Sequence, residues 1–159
     1  MRYKLKDEDR RREDKLECLG RRQPKCLYCP ESDPFALHGV HPDIVCYECS
    51  AEQAGRAWIE DHHPAGRRND SFTIPIPGND HRLLNDMQND WPERTLRNPD
   101  GSPLLAAAAT VRGWLNILRL TIERTVGWVP PFLESLDAWL RAKQGDRWWE
   151  EFSWEGATL

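Results

Sequence analysis

The chain has 159 residues, of which 39% are hydrophobic and 30% are charged. This balance is typical of a globular protein and excludes a fully disordered chain. The formal net charge of -4 also excludes a bulk polycation that coats nucleic acid without specificity. The charge is unevenly distributed, however. Residues 1–26 carry ten basic and six acidic side chains, whereas the remainder carries twelve basic and twenty acidic ones.

Residues 1–25 mix both signs of charge and contain few apolar side chains. We expect them to form a charged, solvated arm, with at most a short helix before Gly20. This segment lacks the apolar core of a secretory signal, so we expect a cytoplasmic protein. In a reducing compartment, closely paired cysteines are metal ligands more often than they are disulfides.

The segment from residue 26 to 96 is poor in long apolar runs and should form a small domain. A core this thin usually needs a metal ion or disulfides. Ser50–Glu60 has the start signals of a helix, and residues 72–77 suggest the second strand of a β-hairpin with prolines at its edge. His81–Asp90 indicates another helix that stops before Pro92. The expected class is α+β.

Two C-x2-C pairs separated by sixteen residues are the most specific motif of the sequence. Each pair can point two thiolates at one centre, and the spacing predicts a structural zinc bound by four thiolates. A redox pair and an iron–sulfur cluster are the weaker alternatives. Cys18 is expected to be a free thiol, and His38 and His41 are alternative ligands between the pairs. The four proposed ligands are Cys26, Cys29, Cys46 and Cys49.

Three of the five histidines fall between residues 60 and 82. The sequence there reads Glu-Asp-His-His at 60–63, Gly-Arg-Arg-Asn-Asp at 66–70 and Asn-Asp-His-Arg at 79–82. If a strand carries the histidine pair and a helix begins near His81, these side chains can converge on one divalent cation. An incomplete set of protein ligands would leave room for water and a phosphate oxygen.

A four-cysteine unit followed by these three motifs resembles the HNH endonuclease family, over about residues 26–95. The resemblance implies a treble-clef zinc unit joined to a ββα-metal fold. It implies metal-dependent hydrolysis of DNA with a catalytic Mg²⁺, Mn²⁺, Ni²⁺ or Zn²⁺ ion. Within this resemblance, His63 corresponds to the general base, and His62 and His81 to metal ligands.

The same resemblance assigns supporting roles to polar residues near the histidines. Glu60 would orient a histidine, and Asn85 would complete the metal site. The family asparagine that holds the hairpin corresponds to Asn69, although Asn79 is an alternative. Phosphates flanking the cleaved bond would be bound by arginines, namely Arg67, Arg68 and Arg82.

Residues 97–103 form a turn-rich cluster that we take as a domain boundary. Beyond it, residues 104–126 predict an amphipathic helix, and a second helix should start near Pro131 and run to about Gln144. Arginines near the middle of the first helix argue against a membrane span. We therefore expect residues 104–159 to form a helical hairpin with a Trp-rich tail. The hairpin, residues 104–144, would pack on the metal domain, on a second copy or on another protein.

Two further functions remain open at the level of sequence. The first is a non-catalytic zinc module that binds nucleic acid or protein. The second is an assembly component whose main role is oligomerisation through the helical hairpin.

Overall fold

The computed structural model describes the backbone of residues 2–151 and the side chains of residues 8–150. Within this part of the chain, helices alternate with two small antiparallel sheets, β1–β2 and β3–β4, which confirms the mixed α and β class. The helices are α1 (Arg2–Leu19), α2 (Tyr47–Gln53), α3 (Gly78–Gln88), α4 (Glu93–Arg97), α5 (Pro103–Val126) and α6 (Val129–Gln144). The strands are β1 (Leu37–His38), β2 (Val45–Cys46), β3 (Ile59–His62) and β4 (Ile74–Pro77), and 3-10 turns cover Pro34–Ala36 and Trp148–Glu151.

The chain divides into two compact units, residues 1–120 and residues 121–159. The first unit contains both sheets and all of the predicted site residues. The second contains the end of α5, helix α6 and the turn that follows it.

Helix α1 is longer than the short helix that the sequence predicts before Gly20. Its last residue, Leu19, is 1% exposed and packs in a core cluster with Leu37 and Ile44. In the middle of the helix, the Arg11 guanidinium forms ion pairs of 2.9 and 3.0 Å with Asp86 and Asp90. These contacts come from residues distant in sequence, so local composition does not reveal them.

The β1–β2 hairpin leads directly into α2. This helix begins three residues before Ser50, because the Cys46 sulfur accepts the Cys49 N–H and caps the first turn. It also ends at Gln53, well before Glu60. Just after the helix, Gly55 adopts a left-handed φ of 64°. The predicted helix over Ser50–Glu60 is therefore wrong in its second half, which lies partly in β3.

The β3–β4 hairpin confirms the predicted hairpin with a proline-bearing second strand. His62 pairs with Ile74 at one end and Ile59 pairs with Pro77 at the other. Helix α3 starts at Gly78, immediately after β4, rather than at His81. The hairpin and α3 thereby bring the end of β3 and the first turns of α3 together.

The part of α5 within the first unit covers this hairpin and α3. Ala109 is fully buried and packs with Ala65 and Trp91. Leu120 packs with Leu83 and Leu84 of α3. The helix bounds agree with the predicted helix over residues 104–126.

The second unit exposes many of its large apolar side chains. Phe132, Leu133 and Trp139 of α6 are each more than half exposed. The Trp148 indole donates to Asp137 at 2.9 Å, so the following turn folds back on α6. Phe152 and Trp154 of the Trp-rich tail lie outside the described residues. Across the described helices, none combines the length and apolar character that crossing a membrane requires.

Candidate functional site

Four cysteine thiols of the first unit converge as the C-x2-C spacing predicts. One ligand atom from each lies within 4.8 Å of all the others, so the group is positioned to hold a metal ion. We call it the four-cysteine cluster; its members are Cys26, Cys29, Cys46 and Cys49. Cys18 is exposed and outside the cluster, as expected of a free thiol.

Backbone N–H groups point at the sulfur atoms of this cluster. The Cys26 sulfur accepts from Tyr28 at 3.4 Å and from Cys46 at 3.3 Å. Burial raises the pKa of the Cys26 thiol, but these donors outweigh burial and bring the pKa down to about 7. By contrast, burial raises the pKa of Cys49, whose sulfur lies among the other three. Donors aimed at sulfur favour the thiolate form that binds metal.

The second cysteine pair is joined to α3 by its two intervening residues. Glu48 and Asn79 exchange hydrogen bonds: the Glu48 N–H donates to the Asn79 side chain at 3.2 Å, and the Asn79 N–H donates to the Glu48 carboxylate at 3.1 Å. The guanidinium carbon of Arg82 lies 4.5 Å from the centroid of the Tyr47 ring. The four-cysteine cluster therefore supports the start of α3 through two separate contacts.

A cavity of about 260 Å³ lies between the end of β3 and α3. We call it the histidine cavity. Its polar lining consists of His63, Arg67, His81, Arg82, Asn85 and Gln88. Five of the proposed site residues thus line one space: His63, Arg67, His81, Arg82 and Asn85.

His62 is 1% exposed and does not line this cavity, but its ring lies 5.4 Å from that of His81, centroid to centroid. Burial, and then the neighbouring His81 and His63, lower the pKa of His62 to about 4. Its imidazole is therefore neutral near pH 7, the form that binds metal. Its Nδ1 atom is buried and has no hydrogen-bond partner among the described residues.

Glu60 is shared between the two residues at the start of α3. Its Oε2 atom contacts His81 Nδ1, and both of its oxygens accept from the Arg82 guanidinium at 2.9 and 3.1 Å. A carboxylate on one ring nitrogen fixes the tautomer and leaves the lone pair on the other, Nε2.

His63 follows β3 and is held by its backbone. The Gln88 side chain donates to the carbonyl oxygens of His63 at 2.9 Å and Pro64 at 3.3 Å. The His63 Nδ1 atom is buried, with no partner within the described part of the chain. Gln88 thus fixes the backbone that carries the ring.

The two asparagines have different structural positions. Asn69 donates to the carbonyl oxygens of Ala65 and Thr95, at 3.0 and 2.9 Å, and so ties the loop after His63 to α4. Asn79 is engaged with Glu48 instead. Of the two, Asn69 holds the loop that connects the hairpin strands.

The three arginines also differ. Arg67 lines the histidine cavity and is exposed, whereas Arg68 is exposed but does not line it. Arg82 lines the cavity too, but Glu60 and the Tyr47 ring engage its guanidinium. Of the two cavity arginines, Arg67 is the one that Glu60 and the Tyr47 ring do not engage.

Sequence reasoning missed Gln88 and Tyr47. His81, Asn85 and Gln88 are spaced four and three residues apart, which places them on one helix face. That spacing in the sequence could have identified Gln88 as a residue on the same face as His81. Tyr47 carries no such signal, because its contact with Arg82 depends on the tertiary arrangement.

The four-cysteine cluster is the one group in the described residues in which three or more His, Cys, Asp or Glu ligand atoms lie within 4.8 Å of one another. The histidines do not form such a group. His81 and Asn85 line the histidine cavity, and an imidazole nitrogen and an amide oxygen are groups that can bind a divalent cation. The buried Nδ1 atom of His62 has no hydrogen-bond partner among the described residues. No family model, curated protein or solved structure matches this chain.

Proposed function

We propose that the protein is a metal-dependent endonuclease of the HNH type that hydrolyses phosphodiester bonds in DNA. The observation that carries the proposal is the histidine cavity, in which His63 faces the same space as His81 and Asn85. The cavity would then contain a general base, a metal ligand and, in Arg67, a positive charge that can bind phosphate.

Each residue at the cavity would have a separate role in hydrolysis. His63 would accept the proton of an attacking water through a ring nitrogen that faces the histidine cavity, because the residue lines this cavity and Gln88 fixes its backbone carbonyl. Arg67 would bind a phosphate oxygen of the substrate. Asn69 would keep the His63 loop in place through its two carbonyl contacts.

A catalytic cation fits residues at this site. His81 through Nε2, His62 and the Asn85 oxygen would hold it, with Glu60 orienting His81. When bound, a divalent ion such as Mg²⁺, Mn²⁺, Ni²⁺ or Zn²⁺ supplies Lewis-acid stabilisation of negative charge on phosphate.

The four-cysteine cluster would hold a structural zinc in a treble-clef unit, and β3, β4 and α3 would form the ββα-metal unit. Supporting this, the first cysteine pair precedes the β1–β2 hairpin, and the second joins β2 to α2. Closed coordination by four thiolates leaves no position for substrate, so catalysis is assigned to the histidine cavity.

Plasmid nicking tests this proposal. Zinc-loaded protein is incubated with supercoiled DNA and Mg²⁺, Mn²⁺ or Ni²⁺, beside His63→Ala and His81→Ala. His41→Ala is the matched control, because His41 is exposed and outside the cavity. We expect nicking by the wild type and the control, and a loss of about 100-fold or more in both cavity variants, the size of a general-base contribution. Equal nicking by wild type and His63→Ala would refute the assignment, and no nicking at all would favour a non-catalytic binding module.

Self-association is a second candidate function, favoured by the exposed apolar side chains of α6. A second copy that covers Leu133 and Trp139 would remove this surface from water. Light scattering should then give a mass above that of one chain for the wild type and a monomer for Leu133→Glu with Trp139→Glu. An unchanged mass in that variant would exclude α6 as the interface.

A further inference from the structure

A second cavity, of about 510 Å³, lies where α1 ends and the first cysteine pair begins. It shares no lining residue with the histidine cavity. Four of its nine lining residues are basic and none is acidic. We call it the basic cavity; its cations are Arg12, Arg21, Arg22 and Lys25.

The end of α1 creates this concentration of positive charge. Gly20 adopts a left-handed φ of 68°, and the N–H groups of Gly20 and Arg21 donate to carbonyls of the last helical turn at 2.9 and 3.4 Å. The chain therefore turns sharply and places Arg21 and Arg22 beside the helix. The Leu19 carbonyl accepts from the His41 N–H at 3.0 Å. Because these carbonyls accept hydrogen bonds, the C-terminus of α1 repels an anion less than a helix end with free carbonyls would.

Among the described residues, one carboxylate lies near this charge. Arg12 lies 3.6 Å from an oxygen of Asp33, whose other oxygen accepts the Phe35 N–H at 3.0 Å. Arg21, Arg22 and Lys25 form no ion pair in the part of the chain that the structure describes. All three are exposed. A concave surface with three uncompensated cations raises the local concentration of anions.

We propose that the basic cavity binds the phosphodiester backbone of a nucleic acid strand. Two adjacent arginines present planar donor groups that match phosphate oxygens, and Lys25 adds a point charge. Its walls also contain Leu16, Pro24 and Pro34, apolar surfaces suited to a sugar. The choice of nucleic acid over an acidic peptide rests on the proposed function, because a nuclease needs backbone contacts beyond the cleaved bond.

Binding is measured by fluorescence anisotropy with a labelled 20-base-pair duplex. The protein is the full zinc-loaded chain carrying His63→Ala, which prevents cleavage. The test variant adds Arg21→Ala, Arg22→Ala and Lys25→Ala. The control variant instead adds Arg94→Ala, Arg97→Ala and Arg147→Ala, which removes the same charge from exposed side chains paired with carboxylates. Zinc content and circular dichroism establish that both variants are folded.

We expect the test variant to lose about tenfold or more in affinity and the slope of log K against log salt to fall by about 0.9 for each lost phosphate contact. The control should change affinity less than about twofold, as expected of cations that contact no phosphate. Equal affinity and slope in test and control variants would overturn the inference, as would no DNA binding by the parent protein. A labelled ten-residue polyglutamate peptide bound more tightly than DNA through the same three residues would assign the cavity to an acidic protein instead. DNA binding that depends on these residues without any plasmid nicking by the wild type would refute the proposed nuclease and leave the basic cavity in place.

Discussion

The guanidinium of Arg82 lies over the ring of Tyr47, with 4.5 Å between the guanidinium carbon and the ring centroid. The same guanidinium donates to Glu60, which contacts His81. Tyr47 lies between Cys46 and Cys49, so a continuous series of contacts joins the four-cysteine cluster to the histidine cavity. The cluster therefore supports the proposed catalytic residues as well as the local fold.

We expect Tyr47→Ala to lower the free energy of unfolding by about 1–2 kcal/mol, because it removes the aromatic face beneath Arg82. Tyr47→Phe keeps that face and should change stability by less than about 0.5 kcal/mol. Urea unfolding followed by tryptophan fluorescence measures both. A Phe variant as unstable as the Ala variant would show that the hydroxyl, and not the ring, is the important group.

Gly113 of α5 packs directly against the Pro64 backbone, and a methyl group built on it would overlap the Pro64 carbonyl oxygen. Replacing a helical glycine with alanine normally stabilises a helix by about 1 kcal/mol. Here we expect the opposite sign, a loss of about 1–3 kcal/mol, because the helix must move away from the loop that carries His63.

The control for Gly113 is the exposed residue Ala108 on the same helix. Ala108→Gly should cost about 1 kcal/mol through helix propensity alone. Urea unfolding of the two variants measures the sign of the change in the free energy of unfolding. A Gly113→Ala protein more stable than the wild type would contradict this close packing of α5 on the loop.

Arg11 joins α1 to Asp86 of α3 and to Asp90, which follows that helix. These carboxylates raise the Arg11 pKa above its usual range against the opposing effect of burial. Arg11→Ala should destabilise the protein by about 1–2 kcal/mol, because two partly buried carboxylates lose their donor. Arg10 is exposed, so Arg10→Ala is the matched control and should leave unfolding unchanged. Equal unfolding midpoints for the two variants would mean that the ion pair contributes no net stability.

Metal analysis of the cysteines provides a further test. The purified chain should hold one zinc that a chelator removes only slowly, and its removal should unfold the first unit, because a closed thiolate site supplies folding free energy. Cys26→Ser with Cys46→Ser should lose this zinc, whereas Cys18→Ser should keep it, since Cys18 lies outside the cluster. Retention of the zinc by the double variant would place the metal elsewhere.

The sequence predicts best those features that depend on local spacing. The two C-x2-C pairs converge as their spacing predicts, the second pair lying at the N-cap and in the first turn of α2. The α5 helix follows from apolar periodicity, and its bounds agree with the prediction. The β3–β4 hairpin is predicted as well, although the predicted helix before it extends into β3. The convergence of His63 and His81 on one cavity follows from that hairpin leading into α3.

The features that escaped prediction depend on contacts between distant residues. Helix α1 has few apolar residues, and its Arg11 pairs with a partner 75 residues away. The early start of α2 depends on a sulfur atom as cap, which propensities for oxygen-bearing caps do not include. The position of His62 outside the cavity is likewise a consequence of packing, since His62 and His63 are adjacent and differ only in the direction of their side chains.

Anomalous diffraction from crystals soaked in Mn²⁺, with data at the zinc and manganese edges, tests the central claim most directly. The account predicts a zinc peak among the four cysteine sulfurs and a second peak at bonding distance, about 2.0–2.3 Å, from His81 Nε2. His81→Ala crystals should keep the first peak and lose the second. A zinc peak at the cysteines with no ion near His81 in the wild type would contradict the proposed catalytic centre.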